Sequence, residues 1–188
     1  ITSEGKIFPV KEIYSPKPFG KSIESHLRDC LDQHMETEKG DILVFLPEMT
    51  KIRRCKEAIK NYGNLETHIL HGETPLEEQE KAIQPGKLRK IILSTNIAET
   101  SLTVSGVRLV IDSGLCKQNI LDPNTGLNRL DTIPVSRSSA EQRKGRAGRE
   151  GPGTCIRFWT EKEQLTKQDF AIPEIFRVDL SETVLKLL

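Results

Sequence analysis

What this sequence has least of is an excess of either charge. Lys plus Arg number 28 against 27 Asp plus Glu in 188 residues, a formal charge of +1. No uniformly basic field can then draw in nucleic acid, and any such contact must be local. Aromatic residues are scarce at 5%, and no apolar run approaches the ~20 residues that cross a bilayer as a helix. A soluble protein with no membrane partner is expected. Cysteine is sparse as well: Cys30, Cys55, Cys116 and Cys155 lie far apart with no CxxC, which excludes a zinc knuckle and a dense disulfide framework and suits a reducing compartment. The histidine pairs His26/His34 and His68/His71 lack the ligand spacing usual in metal sites, so no metal is assigned to protein side chains. The N-terminus has no signal or transit segment and no Met. The chain therefore reads as a piece of something longer.

What is present is a regular alternation, in a length that suits one domain. Apolar, β-branched runs at 6–14, 41–46, 66–70, 90–93, 108–111 and 154–159 are short and nearly continuous, as strands buried on both faces should be. Helical patterns fall between them. Residues 22–35 place Ile23, His26, Leu27, Cys30, Leu31 and His34 on one stripe, and 50–62 and 75–83 also read as helices, the last with Thr74 as cap and Pro75 at its first position. This order predicts an α/β fold, a parallel sheet with helices on both faces, whose ligands bind beyond the carboxyl ends of the strands. The arms 116–121 and 127–135, around a turn-rich 122–126, break the alternation and predict an inserted β-hairpin over 116–135. Leu180, Val184, Leu187 and Leu188 stand at helical spacing. Residues 1–179 are accordingly read as the domain and 180–188 as the start of a following helical region.

Three stretches carry chemistry. Gly20-Lys21-Ser22 resembles the end of a phosphate loop, but Ser15 stands where the first glycine belongs, and Pro16 and Pro18 remove NH donors. The stretch reads better as the start of a helix, and no acidic segment follows an apolar strand to hold magnesium. Within SRSSAEQRKGRAGR at 136–149, Ser138 and Glu141 fit a capping box, which leaves Gln142, Arg146 and Arg149 at i, i+4 and i+7 and so on one helical face. Two guanidinium forks beside a carboxamide suit phosphoryl transfer: positive charge for a transferring phosphate and an amide to orient water. Gly145, Ala147 and Gly148 would let another surface approach closely. STNIAETSLT at 94–103 follows a buried strand and offers Thr95, Asn96, Ser101 and Thr103. Such groups grip a sugar–phosphate backbone without reading bases.

These blocks, with ILVFLP at 42–47, LHGETPLEEQ at 70–79 and VIDSG at 110–114, resemble the second, C-terminal RecA-like lobe of DEAH/RHA-type ATP-dependent RNA helicases, in order and spacing over roughly residues 7–177. The resemblance implies a RecA-like domain in which Gln142 meets the lytic water or γ-phosphate and Arg146 and Arg149 act as fingers. It places Thr95, Asn96 and Arg143 against RNA, and Ser101, Thr103, Ser105 and Ile83 on the nucleotide side. It also makes the hairpin the family's strand-parting element. ATP and Mg2+, held mainly by an absent first lobe, are the implied cofactors. RNA, that first lobe and an activator protein are the implied partners, in the nucleus or cytoplasm. Three positions depart from the pattern. Ser105 stands where many relatives carry Asp, Glu48 where a Gly is common, and Ile83 where an aromatic packs on the base, so that an aliphatic side chain covers the base without stacking. The fragment alone is expected to be inactive. The rival reading is a degenerate lobe that holds RNA or a partner without hydrolysing nucleotide.

Overall fold

Successive residues of a strand point to opposite faces of its sheet, and in this protein that rule builds two cores at once. A computed structural model describes residues 8–36, 38–100, 102–122, 125–178, 180 and 185–186. The strands β1 (Val10–Tyr14), β2 (Asp41–Phe45), β3 (Leu65–Leu70), β4 (Arg89–Ser94) and β5 (Val107–Asp112) are joined by β8 (Gly153–Arg157). They form one parallel sheet in the order β1-β8-β5-β2-β4-β3. Ile42 and Val44, with Ile91, Leu93, Leu109 and Ile111, face helices α1 (Ile23–His34) and α2 (Met49–Ala58). Their neighbours Leu43, Phe45, Ile92 and Val110 face α3 (Leu76–Ile83) and the short α4 (Ile97–Thr100) on the other side. The predicted two-sided parallel sheet is what forms.

Local chemistry sets the element ends. Ser22 caps α1 by accepting a hydrogen bond from the Ser25 amide at 3.1 Å, so Gly20-Lys21-Ser22 starts a helix as the prolines implied. Helix α3 begins one residue later than expected. Pro75 is its N-cap, with no side-chain cap bond, because Pro75 takes an extended ψ of 145° and so stays outside the first turn. The other end of α3 is held by Lys90 of β4, wholly buried, whose ammonium donates to the carbonyls of Ala82 at 3.0 Å and Lys81 at 3.3 Å. A cation on the last carbonyls of a helix is favourable, and here it positions Ile83. Strand β1 begins at Val10, while Lys6 and Ile7 of the expected strand lie outside the described residues.

The hairpin consists of β6 (Leu115–Leu121) and β7 (Asn128–Pro134), paired antiparallel from Leu115 opposite Pro134 to Leu121 opposite Asn128. Pro123 and Asn124 of its turn lie outside the described residues. After β8 comes α6 (Glu161–Thr166), which sequence reading passed over although Thr160 and Glu163 form a full capping box. The chain then runs back along the hairpin, where the Arg137 and Ser138 amides donate to Gln168 O and Asp169 O at 2.7 and 2.9 Å and the Leu121 amide to Arg177 O at 2.8 Å. Of the expected helical region at 180–188, only residues 180, 185 and 186 are described. Helix α5 (Arg137–Gly145) and a 3₁₀ turn at Arg146–Gly148 complete the architecture.

The step from sheet to hairpin needs one glycine. Gly114 has φ +74°, and a Cβ there would lie 2.6 Å from the Trp159 ring. Gly114→Ala combines left-handed strain with overpacking and should cost about 2–4 kcal/mol in urea unfolding of the domain. A loss below about 0.5 kcal/mol, the range of an innocuous surface change, would contradict this account.

Candidate functional site

The carboxyl ends of β2, β4 and β5 lie side by side, and the segments leaving them carry the residues singled out in the sequence. Strand β4 closes with Ser94, whose hydroxyl donates to Leu70 O and Thr95 O, each at 2.9 Å. Thr95 is only 8% exposed, whereas Asn96 is open to solvent. No cap forms between Asn96 and Glu99 side chains. The Glu99 carboxylate turns instead to Arg143 Nε at 2.9 Å, because a buried guanidinium needs it more than an exposed helix end does. Ser101 lies outside the described residues. Thr103 is exposed, and the Ser105 amide donates to Ile83 O at 3.3 Å. Ile83 itself is half-buried against the core under α3 and α4.

Helix α5 starts two residues before the expected capping box. Ser136 is its N-cap, accepting from the Ser139 amide at 3.2 Å. Glu141, freed from capping, accepts from Arg157 at 2.6 Å and pairs with Lys144. The helix then ends at Gly145 and tightens into the 3₁₀ turn, which changes the angular spacing of the residues beyond it. Gln142, Arg146 and Arg149 therefore do not share one face. Gln142 stands exposed. Arg146, 5% exposed, donates to Leu102 O at 2.7 Å and to Glu99 O. Arg149 is exposed and donates to Thr103 Oγ1 at 2.6 Å. Burial, then the neighbouring charge of Arg149, brings the Arg146 pKa down to about 10, so two cations crowd one edge of the 94–103 segment. Gly148 serves a different closeness from the one expected. A Cβ there would lie 2.7 Å from Phe8 O, so the small residue admits the chain's own edge strand.

Arg143 requires a correction. Expected on RNA, it is 0% exposed, with Nε on Glu99, Nη1 on Asp112 Oδ1 at 2.8 Å and on Leu115 O at 3.3 Å, and its plane 4.8 Å from the Phe45 ring centroid. Burial opposes its charge, but Asp112 and Glu99 outweigh it and the pKa moves up. A charge so enclosed cannot meet a phosphate. Arg157, which the sequence reading missed, forms a second knot, to Glu12 at 2.9 Å and Glu141 at 2.6 Å, with Lys144 also on Glu12 at 2.8 Å. Its partners lie on β1 and α5, far apart in sequence; the only signal was a cation ending an apolar strand. Glu48 leaves β2 and pairs with Lys117 of the hairpin at 3.1 Å.

The exposed donors at this edge, Arg149, Gln142 and the Thr103 and Ser105 hydroxyls, suit the flank of an anion. They do not suit a divalent cation. Among the described residues no three His, Cys, Asp or Glu side chains converge on a possible metal position.

A family model described as the helicase conserved C-terminal domain matches residues 24–151. The chain is 37% identical over 200 residues to a protein from Mus musculus named probable ATP-dependent RNA helicase DHX34, covering 97% of this chain and 18% of that protein. To the Arabidopsis thaliana pre-mRNA-splicing factor ATP-dependent RNA helicase DEAH10 it is 39% identical over 194 residues, with 98% and 27% covered. The crystal structure of the E. coli DExH-box NTPase HrpB superposes with a TM-score of 0.91 at 37% identity, over 98% of this chain and 23% of that one. The chain thus spans well under a third of each of these relatives.

Burial raises the Glu141 pKa and the hydrogen bonds and charges of Lys144 and Arg157 lower it; the net shift is downward from 4.5. A carboxylate held down in the folded state adds stability that is present above its unfolded pKa and is lost as pH falls through the folded one. Urea midpoints at pH 7 and at about pH 3.5 should therefore differ less in Glu141→Gln than in the wild type, given this linkage. An equal drop in both would contradict the pairing.

Proposed function

Since this chain belongs to the helicase conserved C-terminal domain family, on the DEAH-box RNA helicase branch, we propose that it works as the second motor lobe of an ATP-dependent RNA helicase. The observation that carries this reading is the joint between Arg149 and Thr103. An exposed guanidinium rests on the same segment that presents Asn96 and Thr95 at the end of β4. One short edge thus offers a cationic fork toward a phosphate and polar groups toward a nucleic-acid backbone.

On this reading ATP lies across a cleft between this lobe and the first, and supplies the bond whose cleavage drives the cycle. Arg149 exchanges its Thr103 contact for the γ-phosphate and holds developing charge there. Gln142, exposed on α5, orients water. Arg146 sits behind Arg149 on the carbonyls of Glu99 and Leu102, so that a finger and the RNA-facing segment are linked. Thr103, Ser105 and Ile83, with Ser101 outside the described residues, border the nucleotide. Asn96, more than the covered Thr95, grips the RNA backbone. Mg2+ is left to the first lobe, since no acid cluster among the described residues of this one suits it. The hairpin stands where strands part. Closure and opening of the two lobes move the protein along one strand, in nucleus or cytoplasm, with an activator protein as a further partner. The domain runs to residue 179, and the helical start at 180–188 opens the next.

Arg149→Ala in the full-length protein should lower RNA-stimulated ATP turnover about 10³-fold, the scale of an arginine finger, while the melting temperature stays unchanged. The isolated lobe should hydrolyse no ATP. Normal turnover in the variant, or turnover by the lobe alone, would overturn the assignment.

A further inference from the structure

We propose that Arg143 is a positioning residue that makes the RNA-facing helix α4, the arginine-bearing helix α5 and the base of the hairpin move as one body. This rests on the function proposed above and adds a residue that the family resemblance placed elsewhere.

Arg143 touches four separate elements. Its Nε holds Glu99 on α4, its Nη1 holds Asp112 at the end of β5 and Leu115 O at the start of β6, and its plane covers Phe45 at the end of β2. Glu99 is gripped twice, by its carboxylate through Arg143 and by its carbonyl through Arg146 one turn further on. Helix α4 cannot shift without dragging α5 or leaving a buried charge unpaired, and the second course is strongly disfavoured. The link continues toward the hairpin. Asp112 Oδ1 also accepts from the Gly114 amide at 2.8 Å, and Gly114 packs on Trp159 at the hairpin root.

The same cluster contains room for a second arrangement. Asp112 Oδ2 is buried with no partner among the described residues. Rotation of the Arg143 fork onto both carboxylate oxygens would keep the pair while loosening Leu115 O. Two discrete arrangements of one buried pair are what a coupling element needs. Lysine could not substitute, because a single ammonium lacks the planar fork that reaches Glu99, Asp112 and Leu115 O together.

The test uses the full-length protein with Glu99→Gln and Arg143→Lys. Glu99→Gln keeps the shape and an acceptor for Nε while removing the charge, at a side chain 14% exposed. Both variants should bind single-stranded RNA within threefold of wild type by fluorescence anisotropy. RNA stimulation of ATP turnover should fall at least tenfold, and base pairs unwound per ATP should fall with it. Stimulation and coupling at wild-type levels in Glu99→Gln would overturn the proposal. So would a Glu99→Gln protein that melts early, because its role would then be to hold the fold. If Arg143→Lys alone unfolds, the Glu99→Gln result decides. A wild-type protein whose hydrolysis ignores RNA would overturn the function itself, an outcome separate from normal wild type with unaffected variants.

Discussion

A guanidinium without access to water must find its acceptors inside the protein, and the carboxyl edge of this sheet is arranged around that requirement at Arg143. Glu99 gives up helix capping to meet it, Asp112 ends an apolar strand with a carboxylate to meet it, and Leu115 brings its carbonyl to it as the chain turns into the hairpin. These contacts place α4 and α5 against one another. Everything exposed on the edge, from Asn96 to Arg149, takes its position from a charge that never sees solvent.

The arginines of one short motif divide between two tasks because α5 changes pitch. Arg143 lies in the α-helical part and points inward; Arg146 lies in the 3₁₀ turn and caps the carbonyls of the 94–103 segment; Arg149 follows the turn and stays open. Inner members give the outer one a fixed base. Preorganised charge of this kind is effective because little reorganisation remains when a phosphate arrives. A second buried cation, Arg157, performs a comparable service on the outer flank by binding α5 to β1 through Glu12 and Glu141.

Much of the fold was legible in the sequence because parallel strands buried on both faces announce themselves as short apolar runs. The runs at 41–46, 90–93 and 108–111 correspond to β2, β4 and β5 within a residue or two, and the arms of the hairpin are those read from its turn. Helix α6 was missed because its sequence, EKEQLT, has little apolar periodicity. The site was legible as a set of residues and less so as a geometry. Equal spacing along α5 suggested one face for Gln142, Arg146 and Arg149, and spacing cannot foresee a change from α to 3₁₀ winding. Nor can it show which arginine is enclosed. The partners of Arg143 lie 44 and 31 residues away, so no local pattern marks it as internal.

The central claim is that this edge completes a triphosphate site belonging to another lobe. A structure of the full-length protein with RNA and a transition-state analogue of ATP tests it most directly. The account predicts Arg149 released from Thr103, with a guanidinium nitrogen about 3 Å from the γ-phosphate mimic, and Gln142 beside the attacking oxygen. Arg149 still on Thr103 and turned to solvent, with the lobes closed around the analogue, would contradict it.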